Sequence, residues 1–195
     1  MSATPPRWAE ALLRAFLKPR DVDSVSGDLL EEYRDSVHPV RGHRGADVGY
    51  VTQVLGYVSR AARVWAALMG AAFVTRTALD WLAPPSDFHT RSTVSTALGV
   101  GILVTSGLWA SWRSGSFVAG TIAGVATTAI GALISIIGAA GLLAIWHGAG
   151  TMAAIRGSGG LSEVFELPLM MILPGVVLGT IGGVVGATIR RLRSA

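Results

Sequence analysis

Cysteine is absent from the 195 residues, and lysine occurs once, at Lys18. The first absence excludes disulfides, thiolate chemistry and Cys-ligated metals. The second excludes a phosphate-cradling glycine loop ending in Lys-Ser or Lys-Thr, and with it an ATPase subunit of that kind. Charge is scarce as well. Asp, Glu, Lys and Arg make up 14% of the chain, against about 25% in soluble domains. Residues 93–112, 114–155 and 167–189 contain no charged side chain at all. A bilayer core is about 30 Å thick and is crossed by about 20 apolar helical residues. With a mean hydropathy of +0.53, these uncharged runs define a polytopic membrane protein with a charged N-terminal head.

The charge that is present is clustered. Nine of the 16 basic residues lie between Arg7 and Arg63, three lie after Ile189, and eight of the 12 acidic residues precede Val48. The chain therefore divides into a cytoplasmic helical head at residues 1–47, a juxtamembrane helix at 48–63 and a transmembrane body at 64–195 with a short basic tail. The pI near 10.3 follows from arginines at membrane boundaries and does not indicate nucleic acid. No apolar core with a small-residue cleavage site precedes residue 48. The first span is therefore expected to act as an uncleaved insertion signal.

The expected fold is all-α, a helical hairpin followed by a four-helix transmembrane bundle. The first span, 64–82, contains Arg76 and Asp80, four residues apart and so able to pair. The second covers 93–112. The 42-residue uncharged run is read as one long span, 117–146, followed by a Gly-rich loop through residue 162. Two crossings turned at 138–141 are the alternative. The last span, 165–189, is expected to kink near Pro168 and Pro174. Trp81, Trp109 and Trp112 fall near predicted interfaces. Four spans place thirteen basic residues on the side of the termini and only Arg91 and Arg156 opposite. By the positive-inside rule both termini are expected to be cytoplasmic, in a bacterial inner membrane.

Small residues recur along the later spans. Gly120 and Gly124 form a GxxxG pair, and Gly124, Gly131 and Gly138 follow every seven residues. Gly175, Gly179, Gly182, Gly183 and Gly186 line the last span. Such stripes let backbones approach closely where no hydrophobic force joins helices. They predict packing of the third span on the fourth, within one subunit or in a homo-oligomer.

In the head, Pro5 and Pro6 precede a helix with Trp8, Leu12, Ala15 and Phe16 on one face and a Glu10–Arg14 pair on its surface. A second helix opens at Asp21 as N-cap. It carries Val22, Val25, Leu29 and Tyr33 on its apolar face, and Asp28, Glu31, Glu32 and Asp35 along another. Residues 38–49, with three glycines and a proline, read as a loop. A third helix from Tyr50 is expected to run unbroken into the first span. The strings PPRWAEALLRAFL at 5–17, GDLLEEY at 27–33 and YVTQVL at 50–55 resemble the permease prefix domain, the cytoplasmic module in front of acidobacterial-type ABC permeases. The resemblance covers residues 5–56. About 140 residues follow, too few for a periplasmic domain and a permease helix set. The resemblance thus implies a shared cytoplasmic module in a regulatory or accessory setting, without the permease activity.

No residue set supports a reaction. His38, His43, His89 and His147 lack the partners of a metal site, and no Gly-x-Ser-x-Gly elbow accompanies Ser106, Ser111 or Ser135. No cofactor and no metal are expected. The acidic residues Asp28, Glu31, Glu32 and Asp35 are the candidate partner-docking face; plain solvation is the alternative reading. Arg76, Asp80 and Glu166 are the intramembrane polar candidates, with Glu163 beside the last. The expected function is a non-enzymatic accessory, regulatory or scaffolding protein that docks a cytoplasmic or membrane partner. The alternative is a small oligomeric transporter or channel subunit with Arg76, Asp80 and Glu166 on its pathway.

Overall fold

The structure is a computed structural model that describes residues 4–84, 88–158 and 160–194, and among these it is helical throughout, with no strand. Three short or interrupted segments build the head. Helix α1 (Arg7–Phe16) leads through a 3-10 turn to α2 (Val22–Glu31), which continues as a wider π-helical turn over Glu32–Val37. Helix α3 (His38–Leu82) follows. Its first turn holds Pro39, where the missing N–H has no helical partner to lose. The ladder then breaks at Gly42, whose φ of 67° is a left-handed conformation that favours glycine.

The loop expected at 38–49 is thus helical apart from the Gly42 break. The reason is tertiary. Ala46, Tyr50 and Val54 are buried against Ala9, Leu13, Leu29 and Tyr33 in one apolar core. Burial of that stripe outweighs the roughly 1 kcal/mol helix penalty of each glycine. The core also changes the expected hairpin. The α1 and α2 faces share that core with the third segment, which packs against both. On α1 the buried positions are Ala9 and Leu13, and Trp8 is 58% exposed, so the inward face is rotated from the expected one. Asp21 makes no side-chain cap; its carboxylate accepts from Arg20 Nε at 3.2 Å.

Along α3 the buried positions recur every fourth residue: Ala46, Tyr50, Val54, Val58, Ala62, Ala66 and Gly70. At about 100° per residue, each step of four advances the stripe by about 40°. The buried face therefore winds around the helix, facing the head at one end and the membrane body at the other. This four-residue spacing is visible in the sequence, but only the packing gives it meaning.

Five further segments complete the body. They are α4 (Phe88–Ser114), α5 (Phe117–Ile145), the short α6 (Ala149–Gly157), and α7 (Gly160–Met170) followed by α8 (Ile172–Ser194). Three helical runs, of 26, 29 and 34 residues, are long and apolar enough to cross a membrane: His89–Ser114, Phe117–Ile145 and Gly160–Arg193. Residues 64–82 belong to α3, carry Arg76 and Asp80, and do not join that set. The uncharged 42-residue run forms one long helix as read, without a turn at 138–141. The Gly-rich loop expected after it is instead α6 and the start of α7. Ile155 anchors that region by burying itself with Trp81 and Ala139. The regular helix of the last span is interrupted at Met171, between the two prolines that cannot donate to the ladder, while Met171 N–H and Gly175 N–H still donate to the carbonyls four residues back.

Glycine decides how these helices meet. A Cβ at Gly124 would collide with the Gly175 carbonyl, and one at Gly107 with the Gly179 carbonyl. At Gly179 it would lie 2.7 Å from the Gly120 carbonyl and 2.9 Å from Gly124 Cα. Gly182 and Gly186 bring α8 equally close to the α4 backbone at Val104 and Leu108, and Gly183 faces Phe117 and Gly120 of α5. The seven-residue series on α5 serves two partners. Gly120 and Gly124 meet α8, while Gly131 lies against Met69 and Gly138 against Val74 of α3. The seam thus joins four segments, beyond the single pair expected. Gly70 and Gly107, which the stripe did not include, belong to it. Outward, α5 and α8 expose Ile137, Leu173, Val177 and Ile181 at half their surface or more, an apolar exterior suited to lipid.

Gly179→Ala is expected to destabilise the protein strongly, since backbone on two neighbours cannot yield. Gly101→Ala, where nothing lies within 4 Å, should be neutral or stabilising by up to about 1 kcal/mol. Thermal unfolding in detergent checks both; equal midpoints for the two variants would contradict the seam.

Candidate functional sites

The polar residues gather in four places. At the end of the body away from the head, Asp80 is buried between two guanidinium groups. Arg91 Nη1 donates to Oδ1 at 2.9 Å, and Arg76 Nε stands 3.6 Å from Oδ2. Arg91 Nη2 also donates to the Ala83 carbonyl at 3.2 Å. It thereby ties the start of α4 to the last turn of α3. The Arg76–Asp80 pair is present as expected. From the sequence, Arg91 counts only as one of two basic residues on the far side; the signal for its role is two basic residues flanking one carboxylate across a short proline turn. Glu166 does not join them. It is exposed on α7, while its neighbours Leu167 and Pro168 line, with Arg76, Asp80 and Trp81, a cavity of about 30 Å³. The side chain of Glu163 lies outside the described residues. Trp81 is 3% exposed, with no partner on its indole N–H among the described residues, and packs in the core with Ala139 and Ile155.

Within the seam several hydroxyls bond locally, while Ser111 Oγ and Thr127 Oγ1 are buried with no hydrogen-bond partner among the described residues. Thr128 donates to the Gly124 or Val125 carbonyl at 3.0 and 2.9 Å, and Ser106 donates to Leu103 at 2.9 Å. Thr121 and Thr180 link α5 and α8 at 2.8 Å. Such bonds in an apolar bundle hold helices in register. Ser106, Ser111 and Ser135 are buried and His147 is exposed; they do not converge.

At the head end, the α4–α5 turn depends on Gly115, with φ of 83° and its N–H donating to Ser111 at 2.7 Å. Arg190 of α8 reaches across and donates through Nη1 to the Arg113 carbonyl at 2.6 Å, complementing the negative end of α4. Trp109 and Trp112 are both partly exposed and stand edge to face at 6.0 Å. Arg113 lies 5.9 Å from the first ring and Arg193 5.5 Å from the second. These are two of the three tryptophans expected near an interface.

In the head, Tyr33 is 2% exposed and sits edge to face on Tyr50 at 6.0 Å. Its hydroxyl donates to Asp47 Oδ1 at 2.8 Å and lies 3.1 Å from His43 Nδ1. Burial, then the bond to Asp47 and the charge of that carboxylate, push the phenol from 10.0 up to about 12. This knot was not foreseen, because residues 38–49 read as a loop. The candidate docking residues Asp28, Glu31, Glu32 and Asp35 are all exposed on the α2 side. Glu32 accepts from Gln53 Nε2 at 3.0 Å, tying α2 to α3. Asp28 and Glu32 flank an open groove with Tyr57 and Arg60. Among the described residues no group of three or more His, Cys, Asp or Glu could hold a metal ion.

Compared with protein families, curated proteins and solved structures, the chain matches none.

Two outcomes are expected. Asp80→Asn leaves the two guanidinium groups without their carboxylate and should cost on the order of 3 kcal/mol, read as a lower unfolding midpoint in detergent. The folded Tyr33 phenol is raised above its unfolded value of 10.0. Its contribution is therefore complete below pH 10 and lost as pH rises toward 12. A phenolate absorbance titration should contain a component near that upper limit, and Tyr33→Phe should lack it.

Proposed function

We propose that this chain is a non-enzymatic accessory protein of a bacterial inner membrane, with four spans, both termini cytoplasmic, and a helical head that docks a basic cytoplasmic partner. The observation that carries the reading is the glycine seam. With α4, α5 and α8 in backbone contact at Gly107, Gly124 and Gly179, the interior is suited to anchoring. Glu166, the third residue of the transport alternative, faces outward. The arginine balance supports the orientation: Arg60, Arg63, Arg113 and the cluster from Arg190 to Arg193 collect at the end that carries the head.

The head supports the docking role. It has its own apolar core, drawn from the stretch that resembles the permease prefix domain, and that core leaves Asp28, Glu31 and Asp35 in solvent. Carboxylates at i, i+3 and i+7 fall on one side of the helix and complement a basic surface.

The test is co-purification from native membranes with tagged full-length protein. Leu29→Asp puts a charge into the head core and should release the partner while the body still inserts. Asp28→Asn with Glu31→Gln and Asp35→Asn should also release it, with helicity unchanged. Reporter fusions should place both termini in the cytoplasm. Retention of the same partner by both variants would remove the head from recognition and return the transporter reading to first place.

A further inference from the structure

Where the head meets the body, a cleft of about 390 Å³ opens between the end of α1, the middle of α3 and the last turns of α4. Its volume falls in the range of small-molecule sites, about 300–1,000 Å³. Lys18, Arg60, Arg63 and Arg113 line it, with Asp21 as the one carboxylate. That carboxylate already accepts from Arg20. Lys18, Arg60 and Arg63 have no acidic partner within 4.0 Å among the described residues. The remaining lining is apolar and aromatic, including Trp65 and Trp109, and reaches inward to Ser106 and Ala123, which are 0% and 3% exposed.

We propose that this cleft binds the headgroup of an anionic phospholipid. The inference rests on the membrane reading above and goes beyond it by naming a ligand. Guanidinium groups match phosphate oxygens in a paired geometry, and the ammonium of Lys18 adds a point charge. Basic pockets between membrane helices at the cytoplasmic face hold such headgroups. The apolar half distinguishes a lipid from a soluble phosphate. A free anion has no use for Trp65 or for a floor between α4 and α5, whereas glycerol and the first acyl carbons do. The rim stands at the level of the Trp109–Trp112 pair, where rings of this kind mark the interface. A lipid seated here touches α3, α4 and the segment after α1 at once, and so ties the head to the membrane body.

Native mass spectrometry of the full-length protein, released from nanodiscs of phosphatidylcholine with or without phosphatidylglycerol, reads the binding directly. The wild type should retain phosphatidylglycerol in preference to phosphatidylcholine. Arg60→Gln with Arg63→Gln should weaken that retention by about tenfold or more. Lys18→Gln, in a connecting segment where folding is not at stake, should weaken it in the same direction. Arg193→Gln removes a charge at the same end but outside the cleft, and should change retention less than about threefold. Equal retention of the two lipids, an equal loss with Arg193→Gln, or displacement by inorganic phosphate would overturn the proposal. Carbonate extraction separates the two levels. A chain that leaves the membrane fails both readings; one that stays inserted without lipid preference fails this one alone.

Discussion

The structure depends on backbone meeting backbone at glycine. Inside a bilayer, apolar side chains gain nothing by leaving lipid for one another, so association relies on close packing. At Gly107, Gly124, Gly179, Gly182 and Gly186 the neighbouring chain occupies the space a Cβ would need. That approach draws α4, α5 and α8 together and closes the middle of the body. Thr128 bonds there to a carbonyl of its own helix, and Thr121 and Thr180 bond across the seam. Large side chains are displaced outward, which is why much of the bulky apolar surface is exposed.

Helix α3 transmits this arrangement to the head. A buried stripe at four-residue spacing cannot stay on one side of a helix with 3.6 residues per turn. It turns away from Leu13 and Tyr33 toward α5, so one continuous helix serves two cores without a linker. Tyr33 secures the upper core through Asp47, with His43 beside its hydroxyl. Gln53 reaching Glu32 binds the same two elements from outside. The head is therefore fixed to the body by a helix and by the surfaces that line the cleft.

The two ends of the body handle charge in opposite ways. At the far end, Arg76 and Arg91 share one buried carboxylate, Asp80. At the head end, Arg60, Arg63 and Lys18 face a cleft with one carboxylate that is already engaged. Unmatched cations beside aromatic rings are stable where anionic headgroups supply the counter-charge. The same asymmetry underlies both the orientation proposed for the chain and the lipid proposed for the cleft.

Much of this was determined by local chemistry and was legible in the sequence. Uncharged runs of sufficient length make membrane-length helices wherever they occur, because no other local structure satisfies the backbone in lipid. Prolines at 168 and 174 remove two N–H donors from the ladder around Met171, and Arg76 reaches Asp80 because helices bring i and i+4 together. The tertiary structure alone decided which surfaces meet. It made a helix of residues 38–49, since Ala46 and Tyr50 gain more from the head core than the glycines lose. It turned Trp8 outward and Trp81 inward, and assigned Gly124 and Gly131 to different partners. It brought Arg91 to Asp80 and Arg190 to the end of α4. Contacts of this kind join residues far apart in the chain, and their free energy depends on the shapes of two surfaces at once, which no local pattern encodes.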